Sequence, residues 1–398
     1  MGIFITLHGV NAQDIRCGIE RFSTEFLSAN PDQVLEMKKD EAFYESWRKS
    51  QHGPTGGGDS IMIPVVFHVF ADNANTLVPL KQCQSALNKA NEDFNGRNAD
   101  LATIDPEFKA LASTYKFHFS LAQIDPNGNP TTGVTYHPID SGFAKTTMDT
   151  HIAGFAWDNY KYVNIYVMNC LFSDGVYNNS GFAFYPNTSM SDKKTARIVY
   201  NYWYLGNTGS SIASGEFQST FTHELGHFFN LYHTFNSGSC VDYDGVDDTP
   251  SSDVAGGGCG PAATHCGHHI NGENYMDYNA SCYKMFTKGQ VDRIDAALFH
   301  ASRFPLWQTS NLIATGILAP TGTSEAKNIS NIHFTLRTNA IFTDADEVQL
   351  YSLFGSALPV RKNGNMISLD EINGLIIVVL KKDGGLSVKK LFVNTPQE

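Results

Sequence analysis

Between residues 223 and 233 the chain reads His-Glu-Leu-Gly-His-Phe-Phe-Asn-Leu-Tyr-His, and no other stretch restricts its folding so closely. On a helix, His223 and His227 are four apart and share one face. Two neutral imidazoles so placed can hold one zinc ion, and Glu224 between them can reach a water on that metal. His233 lies six residues further on, too far round to continue that face. It joins a three-histidine site only if the helix breaks and the chain turns back near residue 230. Asn230 stands there, and after glycine asparagine best tolerates the left-handed region that a sharp reversal can use. A helix, a left-handed break and a returning segment must therefore fit into eleven residues.

Further along, Asn274-Tyr275-Met276-Asp277-Tyr278 places a methionine in a tight turn. Asp242, Asp244, Asp247, Asp248 and Thr249 precede it and run into Pro250, and Phe286-Thr287-Lys288-Gly289-Gln290 follows it. Taken together, His233-Thr234-Phe235, Asp247-Asp248-Thr249-Pro250, the Met276 turn and Phe286-Thr287 with Gln290 resemble the pappalysin family of metzincin metallopeptidases. The likeness is specific over residues 215–295 and extends back to 61. It implies that Met276 forms an apolar floor beneath the metal and that Asn230 replaces the usual turn glycine. It also implies that Tyr278 swings toward the metal to stabilise an oxyanion. The aspartate loop, Asp242 to Thr249, offers hard oxygens that suit calcium; its spacing is not that of an EF-hand, and a solvated acidic loop is the competing reading.

Seven cysteines are unevenly spread, four of them (Cys240, Cys259, Cys266, Cys282) around the methionine turn. They lack the paired spacing of a structural zinc module, which in an exported protein favours two disulfides. Three connectivities are open to four cysteines; the family likeness implies Cys240–Cys266 and Cys259–Cys282. Cys83 and Cys170 either pair or serve as small buried hydrophobes.

At 398 residues the chain is long enough for a catalytic body with accessory segments. A net charge of −12 with scattered lysine and arginine argues against nucleic acid as a partner. No apolar run is long enough to span a bilayer; the most apolar, Gly374 to Leu380, reads as a buried strand. Residues 1–12 resemble a clipped signal peptide. Residues 13–60 are polar, end in the flexible Gly53-Pro54-Thr55-Gly56-Gly57-Gly58, and read as a propeptide. Within them Cys17 can occupy the open position on the zinc as a thiolate and keep an enzyme latent; a cysteine that pairs elsewhere is the competing reading.

Residues 61–307 read as an α+β catalytic domain: a twisted mixed sheet, a backing helix over Leu80–Phe94, and the active-site helix. Strands are expected at 61–70, 116–124, 162–168, 181–186 and 196–202. In the resembled fold the 181–186 edge strand rims the cleft, where an extended substrate can add as a further strand. Residues 308–398 read as a linker and a small all-β module, with a likeness to secretion sorting domains and to Ig-like sandwiches. The whole predicts a secreted zinc endopeptidase made as a zymogen, acting on protein or peptide substrates with Glu224 as base. A catalytically silent binding or adhesion protein of the same shape is the alternative; an intact Glu224 favours the enzyme.

Overall fold

The computed structural model describes residues 16–49, 60–212, 217–235, 238–241, 244–318, 334–337, 340–352, 357–369, 372, 374–382 and 385–393. The expected signal segment 1–12, the glycine linker 53–58 and Asp242 lie outside them. The chain divides into two compact units, residues 1–318 and 319–398.

Seven strands make the first unit's main sheet: β1 (Arg16–Cys17), β2 (Ile61–Phe70), β4 (Phe117–Leu121), β5 (Val134–His137), β6 (Val163–Met168), β7 (Asn179–Ala183) and β8 (Ile198–Asn201). A short β3 (Ala112–Ser113) pairs elsewhere, with Phe286–Thr287. The order is β1-β7-β8-β6-β2-β4, with β5 also on β2. Every pairing is parallel except β7 with β8, so the sheet is mixed. β2 is a nearly continuous apolar run because both of its faces are covered. Pro64, which cannot donate to a ladder, sits one residue before β6 begins to pair at Val65.

The two faces of the sheet feed two cores, in keeping with the strand period of two. Val163, Ile165 and Val167 point to one core, shared with the backing helix Leu80–Phe94, the active-site helix Thr220–Phe228 and the helix Lys288–Leu298. Tyr166 and Met168 point to the other, where Phe22 and Phe26 of helix α1 (Ile19–Ala29) pack against Phe182 and Phe184. Helix α2 (Asp32–Lys49) joins the first core through Tyr44 and Trp47. The backing helix buries Cys83, Ala86, Leu87, Ala90 and Phe94 at helical spacing.

The first unit extends past the expected boundary at 307. The helix Thr309–Ala314 belongs to it, because Asn311 donates to Lys161 O and the amides of Gln123 and Ile124 donate to Thr315 O. The second unit, taken by itself, has two four-stranded antiparallel sheets. Ile341 and Ile367 of one sheet share a core with Leu350 and Val378 of the other, which makes a sandwich. Among the described residues no helix is long and apolar enough to cross a membrane.

One buried histidine gives the fold a pH limit. His68 on β2 lies between Asn164 Oδ1 at 3.0 Å and Thr135 Oγ1 at 2.9 Å, and burial pushes it down to about 3. It stays neutral in the fold but takes up a proton near pH 6.5 when unfolded. The unfolded chain therefore binds more protons below that value, and stability should fall as pH drops from about 6.5 toward 3. Melting temperatures between pH 7 and 4 should decline less steeply for His68→Gln than for the parent; equal slopes would remove His68 as the cause.

Candidate active site

The active-site helix carries His223 and His227 on its buried face, as their spacing requires. The helix ends at Phe228, and Asn230 adopts φ 73°, the left-handed residue the third histidine needs. Its amide donates to His227 O at 2.9 Å, and Leu231 N donates to Gly226 O at 2.9 Å, closing the helix end. His233 then returns to the first two.

The three Nε2 atoms stand 3.0 to 3.2 Å from one another. His223 Nδ1 faces Tyr275 O at 2.7 Å and His227 Nδ1 faces Leu231 O at 2.7 Å. A ring nitrogen facing a carbonyl must carry the proton, which leaves both Nε2 atoms as bare lone pairs. Burial keeps the rings neutral, pushing His223 down to about 3 and His227 well below its ordinary value. Converging lone pairs repel unless a cation lies between them. In a tetrahedron of zinc–nitrogen bonds of roughly 2.0–2.1 Å the ligand atoms stand about 3.4 Å apart, close to the observed separations. The donor set fits such an ion.

Two glycines make room around it. A Cβ on Gly226 would lie 2.4 Å from Met276 Sδ, so Met276, fully buried, packs directly under the histidine-bearing helix. A Cβ on Gly181 of β7 would lie 2.8 Å from Glu224 Oε1. Gly181 is a site residue that the motifs do not flag; a glycine inside a strand is the signal available for it, and that strand, expected at an edge, lies between β1 and β8. Glu224 is fully buried, its Oε1 has no hydrogen-bond partner among the described residues, and burial pushes its carboxyl well above the usual range. Tyr278 sets its ring 4.8 Å from that of His233.

The fourth group at the histidines is Cys17. Its sulfur and the three imidazoles offer ligand atoms all within 4.8 Å of one another. The thiol also faces Glu224 Oε2 at 3.4 Å. Burial and the Glu224 charge push that thiol up; a metal cation held by the histidines would pull it down. Three neighbours support it. Gly18 N donates to Gly181 O at 2.9 Å, so β1 lies along the rim strand β7. Glu20 reaches His233 Nδ1 at 2.6 Å and accepts from the Tyr278 hydroxyl at 3.3 Å. Arg21 meets Asp174 at 2.6 Å with its guanidinium 4.1 Å above Phe172.

In the acidic loop, Asp244 and Asp248 accept from protein donors. Asp244 accepts the Thr249 hydroxyl at 2.7 Å and Val246 N at 3.0 Å, and burial pushes it up to about 7. Asp248 accepts the Thr287 hydroxyl at 2.7 Å and Gly289 N at 2.9 Å, at the start of the helix Lys288–Leu298. Thr287 and Gln290 complete a capping box there. Cys240 joins Cys266 and Cys259 joins Cys282, whereas Cys17, Cys83 and Cys170 are free and buried. His265, His268 and His269 lie apart from the metal-binding cluster, on a two-stranded hairpin where they face Asp253, Ser251 O and Glu107.

A mixed sheet over a histidine-bearing helix, with a left-handed turn and a methionine floor, defines a metzincin-type metalloendopeptidase. The family model described as pregnancy-associated plasma protein-A matches residues 146–299. Mature mirolysin of Tannerella forsythia, solved with a cleaved peptide, is 31% identical with a TM-score of 0.54, covering 63% of this chain and 99% of that one. A mutant promirolysin of the same organism is 28% identical with a TM-score of 0.61, covering 72% and 94%. An extracellular metalloprotease of Podospora anserina is 29% identical over 70% of this chain and 87% of its own. Another, from Neurospora crassa, is 34% identical over 34% of this chain and 47% of its own. The chain belongs to the pappalysin family of metallopeptidases. It is an extracellular protein, as the names of these relatives and its two disulfides indicate.

Proposed function

We propose that the protein is a zinc-dependent endopeptidase, secreted in a latent form, with Glu224 as its general base. The convergence of three imidazole Nε2 atoms beside one buried, half-partnered carboxylate carries this reading. His223, His227 and His233 would hold the ion, and three protein ligands leave a position open, as catalytic zinc sites do. When bound, zinc supplies Lewis acidity and a water acidified toward neutral pH. Glu224 takes a proton at its carboxylate and later delivers it to the leaving amine; its raised pKa suits it to holding that proton. The Tyr278 hydroxyl, once freed from Cys17 O and Glu20, can donate to the developing oxyanion. Protein or peptide chains are the substrates, and the edge of β7 that β1 covers is where an extended one can pair once residues 16–17 leave it.

Residues 16–49 support the latent form. They put a thiol at the metal position, a strand on the rim and two helices against the body. The likeness to promirolysin spans more of the chain than that to mature mirolysin, 72% against 63%. Casein should be cleaved by protein processed in the glycine linker, and a chelator should abolish the cleavage. Chelator-resistant turnover would reject a metal-dependent mechanism.

A further inference from the structure

The helix Lys288–Leu298 buries a cation that the chemistry above does not use. The Arg293 side chain is 4% exposed, donates Nε to Asn230 O at 2.6 Å, and holds its guanidinium 4.6 Å over the Tyr232 ring. Its terminal nitrogens grip Glu41 of α2 as a fork, at 2.7 and 2.8 Å. The Tyr232 hydroxyl donates to the same carboxylate at 3.4 Å. Gly245 forms a wall; a Cβ there would stand 2.5 Å from Arg293 Nη1 and 3.4 Å from Glu41 Oε1. Arg293, Tyr232 and Gly245 all belong to the catalytic body. The carboxylate comes from the N-terminal segment, as does Tyr44, whose ring lies 5.2 Å from the guanidinium.

A planar guanidinium matches a carboxylate in two parallel hydrogen bonds, and a buried cation that loses its anion is left at high cost. The carboxylate of Asp244, beside Gly245, is no substitute, since Thr249 and Val246 already occupy it. The place connects to the metal site by touching rings. Tyr232 meets Tyr185 edge-on at 4.8 Å, and Tyr185 meets His227 at 5.9 Å.

We infer that, in the processed protease, Arg293, Tyr232 and Gly245 form a carboxylate-binding site that takes an acidic side chain of the protein substrate, a place Glu41 fills in the latent form. This rests on the reading of residues 16–49 as a removable prosegment. Because Arg293 also holds the carbonyl of Asn230, an occupied site braces the turn that returns His233.

Two arms test it. In the unprocessed full chain, Glu41→Ala vacates the site, and sodium acetate is the probe. Acetate should raise the melting temperature of that variant by about 2 °C or more over chloride at equal ionic strength, with no such gain for the parent. In the linker-processed full chain, matched peptides carry Glu or Gln at each position around one cut bond, with free or amidated C-termini. Glu should exceed Gln at one position by roughly threefold to tenfold in kcat/KM, a modest factor because Glu41 is about a third exposed. An advantage of free over amidated ends, with no Glu preference, would show that a chain terminus is the ligand and overturn the side-chain assignment. Acetate no better than chloride would overturn the site itself. Activity before and after processing reports on the prosegment separately, so its failure is visible without the acetate arm.

Discussion

Glu224→Gln should keep one zinc per chain and lose roughly a hundredfold to ten-thousandfold in turnover, the range for removing a positioned general base. The glutamate lies beside the three histidines without being one of their number. Its Oε1 has no hydrogen-bond partner among the described residues, and Gly181 leaves room beside it, where a Cβ would crowd both Glu224 and Tyr200. Glutamine keeps that shape and cannot accept a proton. Metal content and fold should therefore survive while chemistry fails. Casein turnover and zinc content measured on the same processed preparation separate the two effects. A variant that cleaves casein like the parent would move the base elsewhere.

The second large effect concerns the thiol. Cys17→Ala in the full chain should release activity before any processing, by about tenfold or more over the latent parent, a change equivalent to about 1.4 kcal/mol in the closed equilibrium. Among the described residues of the N-terminal segment, Cys17 is the one that joins the three histidines, and its carbonyl also restrains Tyr278. Removing the sulfur leaves β1, the Phe22 and Phe26 contacts and the Glu41–Arg293 pair in place. Release should thus be partial, with full activity after linker cleavage. Autolysis and peptide turnover during expression measure it. A variant as silent as the parent would assign latency to steric cover alone.

These contacts also mark how far the sequence could be read. The histidine spacing, Asn230 and the capping box at Thr287 are local patterns, set by helix geometry and by positive φ, and so they are visible in a linear string. The ends of β2 and of the backing helix were legible for the same reason, since uniform burial or helical periodicity runs their whole length. Glu20, Arg21 and Glu41 were not, because each meets its partner across more than 150 residues. β5 was missed as four residues in a stretch rich in threonine and glycine, given shape only by pairing with β2. In the aspartate loop, the donors that Asp244 and Asp248 receive from Thr249, Val246 and Gly289 depend on the folded turn and on the helix Lys288–Leu298, which spacing alone does not display.

The most direct test is the zinc content and casein turnover of processed protein and of His227→Ala, measured side by side. His227 Nδ1 is held by Leu231 O and its Nε2 points at the other two imidazoles, so the substitution acts on the three-histidine cluster itself. One zinc per chain in the parent, with both metal and turnover lost in the variant, is the expected result. A variant that keeps its zinc and still cleaves casein would contradict the three-histidine site.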